Sequence, residues 1–422
     1  MKWLKRIALV TLLLLGLGFG LGSIDRCSQW LSMPVGLVGL SRATGALQVG
    51  AAKRALELPY PVAMGGYGPW RSEVSSAVSP LNARATVVQV GSERLALVSL
   101  EAVLISNALV TAIRDGRTFH VWVVATHTHT GPGNYDPRLA VELGALGRYR
   151  PEVEAALVSA ARGALDDALA KLAPAAMDVS TGSQALTRAR ASGEVDSALT
   201  RIRFRTPGGS AVAQWLLVAA HPTLAPRFGT QLDADYPGLL AQRFENEGGA
   251  GVTSVLQTAG GNAMAMGALP EFTLALGDAF AALPDGATEA DVGYGLATAD
   301  FALGHPDGSR LGPALVGPIV ENALCAQAMS HAEVGVLRLG SISFAAVPAE
   351  VTQASAKVIL QQSKSTFVLS LANGYQGYVE PEDVVNRNEG EAHRQYFGAG
   401  LLSQFAEAAR QAGQAAGTFG AK

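Results

Sequence analysis

Short apolar runs separated by turn residues divide much of the chain into strands. Runs of about five to eight Val-, Ile- and Leu-rich residues, bounded by Gly, Pro, Asn or Asp, are typical of buried strands. Two such runs meet at Gly91-Ser92 and predict a β-hairpin. The pattern predicts strands at Leu47–Ala55, Thr86–Val90, Arg94–Leu100, Val121–Val124, Ala198–Arg205, Ala213–Ala220, Val252–Gln257, Glu333–Leu339, Ile342–Val347 and Thr366–Leu371.

Amphipathic, Ala-rich stretches between these strands predict helices. The longest covers Glu152–Leu172, which follows Pro151 and stops before Pro174. The stretch Gly286–Gly304 is rich in Ala and Gly and fits neither period. This interleaving predicts an α/β fold with mixed β-sheets and flanking helices in one domain. Further helices are predicted at Ile105–Arg114, Asp235–Glu245, Val351–Gln362 and Gly400–Ala415.

Histidines follow two of the predicted strands. The segment Val121–Gly133 reads VWVVATHTHTGPG and places His127 and His129 two residues apart. Because side chains alternate along a strand, we expect both imidazoles on one face of the strand end. The strand Ala213–Ala220 delivers His221 in the same way. Imidazole is the commonest protein ligand for zinc, although hydrogen-bonded histidines that cap a strand would give the same pattern.

Other polar residues also follow apolar strands. Asn262, Glu350 and Tyr378 come after the runs that begin at Val252, Ile342 and Thr366. In α/β sheets the carboxyl ends of strands are where sites assemble, and two histidines with a carboxylate are a common ligand set for catalytic zinc. Taken alone, Glu350 would more simply be a charge at a helix N-terminus. Together, the positions favour one shared metal site.

Composition narrows the possible functions. The 422 residues are 49% hydrophobic and 16% charged, with a net charge of −3 and no Lys- or Arg-rich patch, so we expect no nucleic-acid partner. Cys27 and Cys325 are the two cysteines, which excludes a zinc site built on cysteines. A metal in this chain must bind through imidazole, carboxylate or other oxygen atoms.

The N-terminus has the pattern of a targeting segment. Lys2, Lys5 and Arg6 precede the uncharged stretch Ile7–Gly22, which predicts a signal peptide or an uncleaved membrane anchor over residues 1–23. Residues 24–46 are then a linker, and 47–415 the folded domain. Basic residues before the apolar stretch place the body of the protein outside the cytoplasm, on the periplasmic or extracellular side, with a membrane surface as a partner.

The histidine segment resembles a known family signature. Ala125–Gly133, ATHTHTGPG, is similar to the ATHTHSGPG motif of the neutral, non-lysosomal ceramidases. Further similarities occur in the same order and span roughly residues 47–400, the N-terminal catalytic domain of that family. They lie at Val49–Ala52 with Gly66–Gly68, Ala220–Thr223 with Ala234–Gly238, Val347–Glu350, and Asn373–Val379.

The resemblance implies a zinc-dependent amidohydrolase that cleaves the N-acyl bond of ceramide or a related lipid. His129 would act on protons beside the metal, and Tyr378 would bind zinc or stabilise the oxyanion. Either Arg188 or Arg190 would match the arginine of the family's site, and Arg190 is favoured. By the same resemblance, the zinc ligands would be His127, His221, Glu350 and Tyr378.

Two positions depart from the family pattern. Met264 stands where the ceramidases carry a serine, and Asn388 stands near the position of a family tyrosine. A thioether cannot act as a nucleophile, so we expect hydrolysis by metal-activated water and not through an acyl-enzyme. Met264 and Asn388 also leave open a catalytically degenerate protein that binds a lipid or a metal. A third possibility is an exported esterase or amidase that acts on a soluble substrate.

Overall fold

The computed structural model describes most of the chain from residue 35 to residue 417. Residues 69–71, 192, 248, 250, 305, 308–320, 323–324 and 326–330 lie outside this description, as do most positions before residue 35. The predicted signal or anchor, Ile7–Gly22, and Cys27 therefore fall largely outside the described residues. No helix within the described residues is both long enough and apolar enough to cross a bilayer.

β-Strands form the centre of the molecule. In chain order they are β1 (Gly36–Ala55), β2 (Val62–Ala63), β3 (Glu73–Val74), β4 (Asn82–Val90), β5 (Glu93–Leu100), β6 (His120–Ala125), β7 (Ala173–Pro174), β8 (Ala176–Ser183), β9 (Thr187–Ala189), β10 (Ala198–Arg205), β11 (Ala211–Val218), β12 (Val252–Gln257), β13 (Ala263–Ala265), β14 (Thr288–Glu289), β15 (Asp291–Ala302), β16 (His331–Leu339), β17 (Ile342–Ala346), β18 (Glu350–Val351), β19 (Phe367–Leu369) and β20 (Tyr378–Val379).

Helices surround these strands. Two short pieces, the α-helical Leu139–Val141 and the π-helical Glu142–Leu146, follow one another directly, and Ala392–Arg394 forms a 3-10 turn. The remaining helices are α1 (Asn107–Arg114), α2 (Pro151–Ala170), α3 (Asp235–Asn246), α4 (Leu269–Ala281), α5 (Gln353–Ser363), α6 (Glu382–Asn386) and α7 (Leu401–Ala416).

The strands build two main mixed sheets. In the larger sheet the described strands follow the order β19-β17-β16-β15-β1-β4-β5-β6, with β7 also paired to β1. Most neighbours are antiparallel, but β5 with β6 and β17 with β19 are parallel. The smaller sheet has the order β12-β11-β10-β8-β14, in which β11 and β12 are parallel. The parallel pairs lie at sheet edges, where crossover connections bring loops together.

The two sheets face one another, and helices cover their outer faces. Between the sheets, Trp215 of β11 packs edge-on against Phe204 of β10 and Phe344 of β17. Helix α2 covers β1 and β4, α7 covers β15 and β16, and α3 packs on β12. The resulting order is helices, sheet, sheet, helices. This confirms the predicted α/β fold with mixed sheets and flanking helices.

Several elements differ from the sequence prediction. The first strand begins at Gly36, not at Leu47, because its first half pairs with β15 and its second half with β4. The unassigned stretch Gly286–Gly304 contributes β14 and β15. Helix α4 and strand β8 were not predicted. Strand β8 reads AMDVSTGS, and its small polar residues do not have the alternating apolar pattern that predicts a strand. Its extended conformation is fixed by pairing with β10.

One connection between sheet edges positions the site. Val124 of β6 forms a bridge with Ala372, which follows β19. Asn373 reinforces this bridge, since its backbone N–H donates to Val123 O at 2.8 Å and its Oδ1 accepts from Val123 N–H at 2.9 Å. The contact fixes the segment that leads to Tyr378 beside the strand that leads to the paired histidines. Segments far apart in sequence therefore reach one place.

Candidate metal centre

His127 lies in a turn and not on the strand. Strand β6 ends at Ala125, and His127 has φ of +70°, in the left-handed region. Its backbone N–H donates to Ala102 O at 2.9 Å and its Nδ1 bonds Val103 O at 2.5 Å. A carbonyl only accepts, so Nδ1 donates this hydrogen bond, and Nε2 is the nitrogen that faces the other histidines. The prediction that His127 and His129 share one face of a strand end was therefore wrong, because the strand stops at Ala125, before the first histidine.

A buried ion pair holds the segment after β5 whose carbonyl groups bind His127. Glu101, at the end of β5, pairs with Arg84, and its Oε2 accepts from Asn82 N–H at 2.8 Å. Glu101 and Arg84 are 0% and 2% exposed. Removal of Arg84 would leave the buried charge of Glu101 uncompensated, so the pair holds the start of the segment that includes Ala102 and Val103.

His129 and His221 present the same nitrogen. His129 Nδ1 donates a hydrogen bond of 3.1 Å to Gly66 O, so in the neutral ring Nε2 is the nitrogen without a proton. Gly66 has φ of +106°, and a Cβ at this position would lie 2.7 Å from His129 Cα, so only glycine allows this approach. His221 follows β11, and its backbone N–H donates to Ala263 O at 2.8 Å.

The three imidazoles converge. His129 Nε2 lies 3.1 Å from His221 Nε2 and 3.4 Å from His127 Nε2. The ring centroids of His127 and His221 are 4.5 Å apart. These residues form a group whose ligand atoms all lie within 4.8 Å of one another. Such a cluster can hold a metal ion.

Glu350 completes the cluster. The parallel pairing of β18 with β20 sets Glu350 directly beside Tyr378. Its Oε1 accepts a hydrogen bond of 2.7 Å from the hydroxyl of Tyr375. Its Oε2 is 3.1 Å from His127 Nε2 and 3.8 Å from His221 Nε2, and it is buried without a hydrogen-bond donor among the described residues. Tyr375 therefore orients the carboxylate so that its second oxygen points at the imidazoles.

The donor atoms fit a small tetrahedral cation. Zinc binds imidazole nitrogen at about 2.0–2.1 Å, which places two tetrahedral ligands about 3.3–3.4 Å apart. Glu350 Oε2 lies 3.1 Å from His127 Nε2, close to this spacing, and 3.8 Å from His221 Nε2. A carboxylate oxygen this close to two ring nitrogens needs a cation between them, either a proton or a metal ion, to offset the repulsion of their lone pairs.

Burial sets the charge of these groups. Burial, and secondly the neighbouring His127, lower the pKa of His129 to about 3, and the pKa of His221 also falls well below its usual value for the same reasons. Both rings are thus neutral at neutral pH, as metal binding requires. Burial opposes ionisation of Glu350, but the adjacent His127 and His221 rings and the Tyr375 hydroxyl outweigh it and hold its pKa far below the usual range.

Arg190, and not Arg188, reaches the centre. Arg190 Nη1 donates to the Tyr378 hydroxyl at 3.0 Å and to Glu391 Oε1 at 3.3 Å. Arg188 lies in β9, where it pairs with Met264 of β13, and neither residue lines the cavity. Burial, and secondly Glu350, raise the pKa of Tyr378 well above its usual value, against the lowering effect of Arg190. The phenol therefore keeps its proton in the absence of a cation.

A cavity of about 600 Å³ opens above the cluster. All of the predicted site residues border it, that is His127, His129, His221, Glu350, Tyr378 and Arg190. Apolar side chains form much of the remaining wall. These are Val103, Leu104, Val141, Ala145 and Phe397.

The comparisons with known proteins support the same fold. The sequence matches no protein-family model and no curated protein. Among solved structures, it is similar to neutral ceramidase from Pseudomonas aeruginosa, with a TM-score of 0.71 and 16% identity over 87% of this chain and 75% of that chain. A structure described as ceramidase complexed with C2 matches over the same shares with a TM-score of 0.68. The chain has a neutral-ceramidase-like fold.

The neutral-ceramidase-like fold also brings in residues that the sequence analysis did not single out. Tyr67, Arg227, Tyr375, Arg394 and Tyr396 all line the cavity. Tyr375 stands within the NGYQGYV segment and Tyr67 within Gly66–Gly68, so the family resemblance was a usable signal for both. The others lie in segments without a periodic pattern. Asn388, discussed as the replacement of a family tyrosine, does not line the cavity, whereas Tyr396 does.

Proposed function

We propose that this protein is a zinc-dependent amidohydrolase that cleaves the N-acyl bond of ceramide or a related N-acyl lipid. The observation that carries the proposal is the convergence of three imidazole nitrogens and the Oε2 of Glu350 beneath a cavity of about 600 Å³. The neutral-ceramidase-like fold supports the amide bond as the target. The apolar wall at Val103, Leu104 and Phe397 suits an acyl chain.

The proposed zinc ligands are His127, His221, Glu350 and Tyr378. The first three already direct their donor atoms at one another, and Tyr378 is placed next to Glu350 by the β18–β20 pairing. When bound, zinc would polarise the amide carbonyl and lower the pKa of water towards neutrality.

The protein's own groups would move the proton and stabilise charge. His129 Nε2 is unprotonated and lies 3.1 Å from the nearest ligand nitrogen, so it can accept a proton beside the reacting carbonyl and return it to the leaving amine. Arg190, whose Nη1 lies 3.0 Å from the Tyr378 hydroxyl oxygen, can donate to a developing oxyanion. The Tyr378 hydroxyl would share this role only if it does not bind the zinc. Arg190 also carries a fixed positive charge there.

Chelation provides the direct test of this function. A long-chain N-acyl-sphingosine with a fluorescent acyl group should be hydrolysed by the purified protein, and the rate should fall to background after treatment with 1,10-phenanthroline. Added Zn²⁺ should restore it. A short, water-soluble N-acetyl amide serves as the comparison, because faster hydrolysis of that compound would favour a soluble substrate. Zinc binding without hydrolysis of either compound would identify a non-catalytic protein, the alternative that Met264 favours.

Met264 provides a test of the nucleophile. Its side chain does not border the cavity, and its backbone bridges to His221 in a short β contact. Met264→Ala should therefore keep turnover within about a few-fold, because no bond to the substrate depends on the thioether. Mass spectrometry of protein quenched during turnover should show no acyl adduct. An adduct on any residue, or complete loss of activity in Met264→Ala, would contradict the proposed direct hydrolysis.

A further inference from the structure

Positive charge exceeds negative charge on the described wall of the cavity. The charged residues that line it are Arg138, Arg190, Arg227, Arg394 and Glu350. Glu350 is committed to the histidine cluster. An arginine that is ion-paired with a carboxylate behind the wall attracts an anionic ligand less strongly than an unpaired one.

Arg138 is neutralised completely. Its Nε and Nη2 donate to the two oxygens of Asp136 at 2.9 and 2.6 Å, and Asp136 is 0% exposed. This two-point pairing occupies the carboxylate-binding edge of the guanidinium. Arg138 therefore shapes the wall and leaves the excess charge elsewhere.

Arg190 and Arg394 share a single carboxylate. Glu391, which is 2% exposed, accepts from Arg190 Nη1 through Oε1 at 3.3 Å and from Arg394 Nη1 through Oε2. One negative charge thus faces two positive charges. No bond of Nε or Nη2 to another described residue is seen for either arginine. Each guanidinium keeps its second edge available to a ligand.

Arg227 carries a second uncompensated charge. Its guanidinium lies over the rings of Tyr67 and Phe228, at 5.1 and 5.2 Å from their centroids. No ion pair joins it to a carboxylate among the described residues, and Asp and Glu are absent from the undescribed positions between residues 35 and 417. Aromatic stacking therefore holds Arg227 at the cavity while its charge remains free for a ligand.

Arg227 and Arg394 both lie close to the reacting groups. Arg394 stacks on the ring of Tyr378 with its carbon Cζ 5.4 Å from the ring centroid, and Arg190 lies 5.9 Å from the same ring. Arg227 stacks on Tyr67, whose ring centroid is 5.2 Å from that of His129. Arg190 is placed to serve the acyl oxygen. Arg227, which has no ion pair among the described residues, and Arg394, whose Nε and Nη2 are unused there, therefore remain for a ligand.

We propose that, among N-acyl lipids, the protein prefers one whose amine half carries an acidic group, either a carboxylate or a phosphate monoester, that Arg227 and Arg394 bind. This inference rests on the proposed amide hydrolysis. An amine leaving group becomes an ammonium ion at neutral pH, and surplus guanidinium charge would repel it unless the same fragment also carried an anion. The planar edge of a guanidinium matches carboxylate and phosphate oxygens in two-point hydrogen bonds.

Binding of matched amphiphiles tests the inference without relying on turnover. The probes are N-lauroylglycine, the phosphate monoester of N-lauroylethanolamine, and neutral N-lauroylethanolamine, with affinities measured by isothermal titration calorimetry on the protein as purified. We expect at least one acidic probe to bind about 10-fold or more tightly than the neutral probe. Arg227→Gln and Arg394→Gln should each reduce that ratio by about 10-fold or more, because hydrogen bonds to charged groups contribute strongly. The better acidic probe distinguishes carboxylate from phosphate.

Two further variants make the result specific. Arg227→Lys keeps the charge without the planar edge and should retain part of the ratio. Arg410→Gln removes an arginine that pairs with Glu407 on α7 and does not line the cavity, so it should leave the ratio unchanged. Equal affinity for the acidic and neutral probes, or a ratio that neither Arg227→Gln nor Arg394→Gln changes, would overturn the inference.

The outcomes also separate this inference from the proposed function. Tight binding of an acidic probe that no assay shows to be hydrolysed would leave the arginine site intact and refute the amidase. Hydrolysis of the neutral probe with no preference for acidic probes would leave the amidase intact and refute the arginine site.

Discussion

His127→Ala and His221→Ala are each expected to lose stoichiometric zinc and essentially all N-acyl hydrolysis. Each removes a nitrogen that converges on the others within 4.8 Å. Changes to groups that only orient a metal ligand weaken binding about 10–100-fold, so loss of a ligand itself should weaken it by more than about 100-fold. Loss of the metal removes several kcal/mol of charge stabilisation, which corresponds to a rate reduction of about 10³-fold or more.

Metal analysis of the purified proteins measures this directly. About one zinc per chain is expected in the unmodified protein, as in other single catalytic zinc sites. His120→Ala is the matched control, because His120 opens the same strand β6 but does not line the cavity, and it should keep its zinc. If both His127→Ala and His221→Ala retained full zinc content, the proposed centre would be wrong.

His129→Ala is expected to keep its zinc and to lose about 10²–10⁴-fold in kcat, the usual contribution of a positioned acid–base group. This variant keeps all four proposed zinc ligands, which are His127, His221, Glu350 and Tyr378. His129 Nε2 is the nitrogen that the proposal reserves for proton transfer, while its Nδ1 is held by Gly66 O at 3.1 Å. His129→Ala should therefore lose turnover but keep its zinc, whereas His127→Ala should lose both.

Chemical rescue distinguishes a proton-transfer role from a structural one. Deletion of the imidazole leaves a space beside the cluster, and added imidazole should restore part of the kcat of His129→Ala without changing its zinc content. The thermal unfolding midpoint of this variant identifies any loss of folding. If zinc content instead fell along with turnover, His129 would be a ligand, a role that its 3.1 and 3.4 Å distances to the other ring nitrogens also allow.

The sequence by itself determined the class of fold and the chemical types at the site. Hydrophobic periodicity located most strands and helices to within a few residues, as for β10 at Ala198–Arg205 and β12 at Val252–Gln257. Breaks after apolar runs marked His127, His221 and Glu350, because chemistry-bearing residues at strand ends have a local signature. The spacing of the two histidines also placed His127 and His129 together, although the strand ends before them.

Only the tertiary structure decided which groups meet and how they are charged. The hydrogen bond from His127 Nδ1 to Val103 O, which turns Nε2 towards the other histidines, joins residues far apart in sequence, and so does the bond from Tyr375 that orients Glu350. Likewise, Glu391 is shared by Arg190 and Arg394, so the surplus charge on the cavity wall cannot be counted along the chain. The physical reason is that strand pairing and loop closure create these contacts, whereas hydrophobic periodicity records only which face of each element is buried.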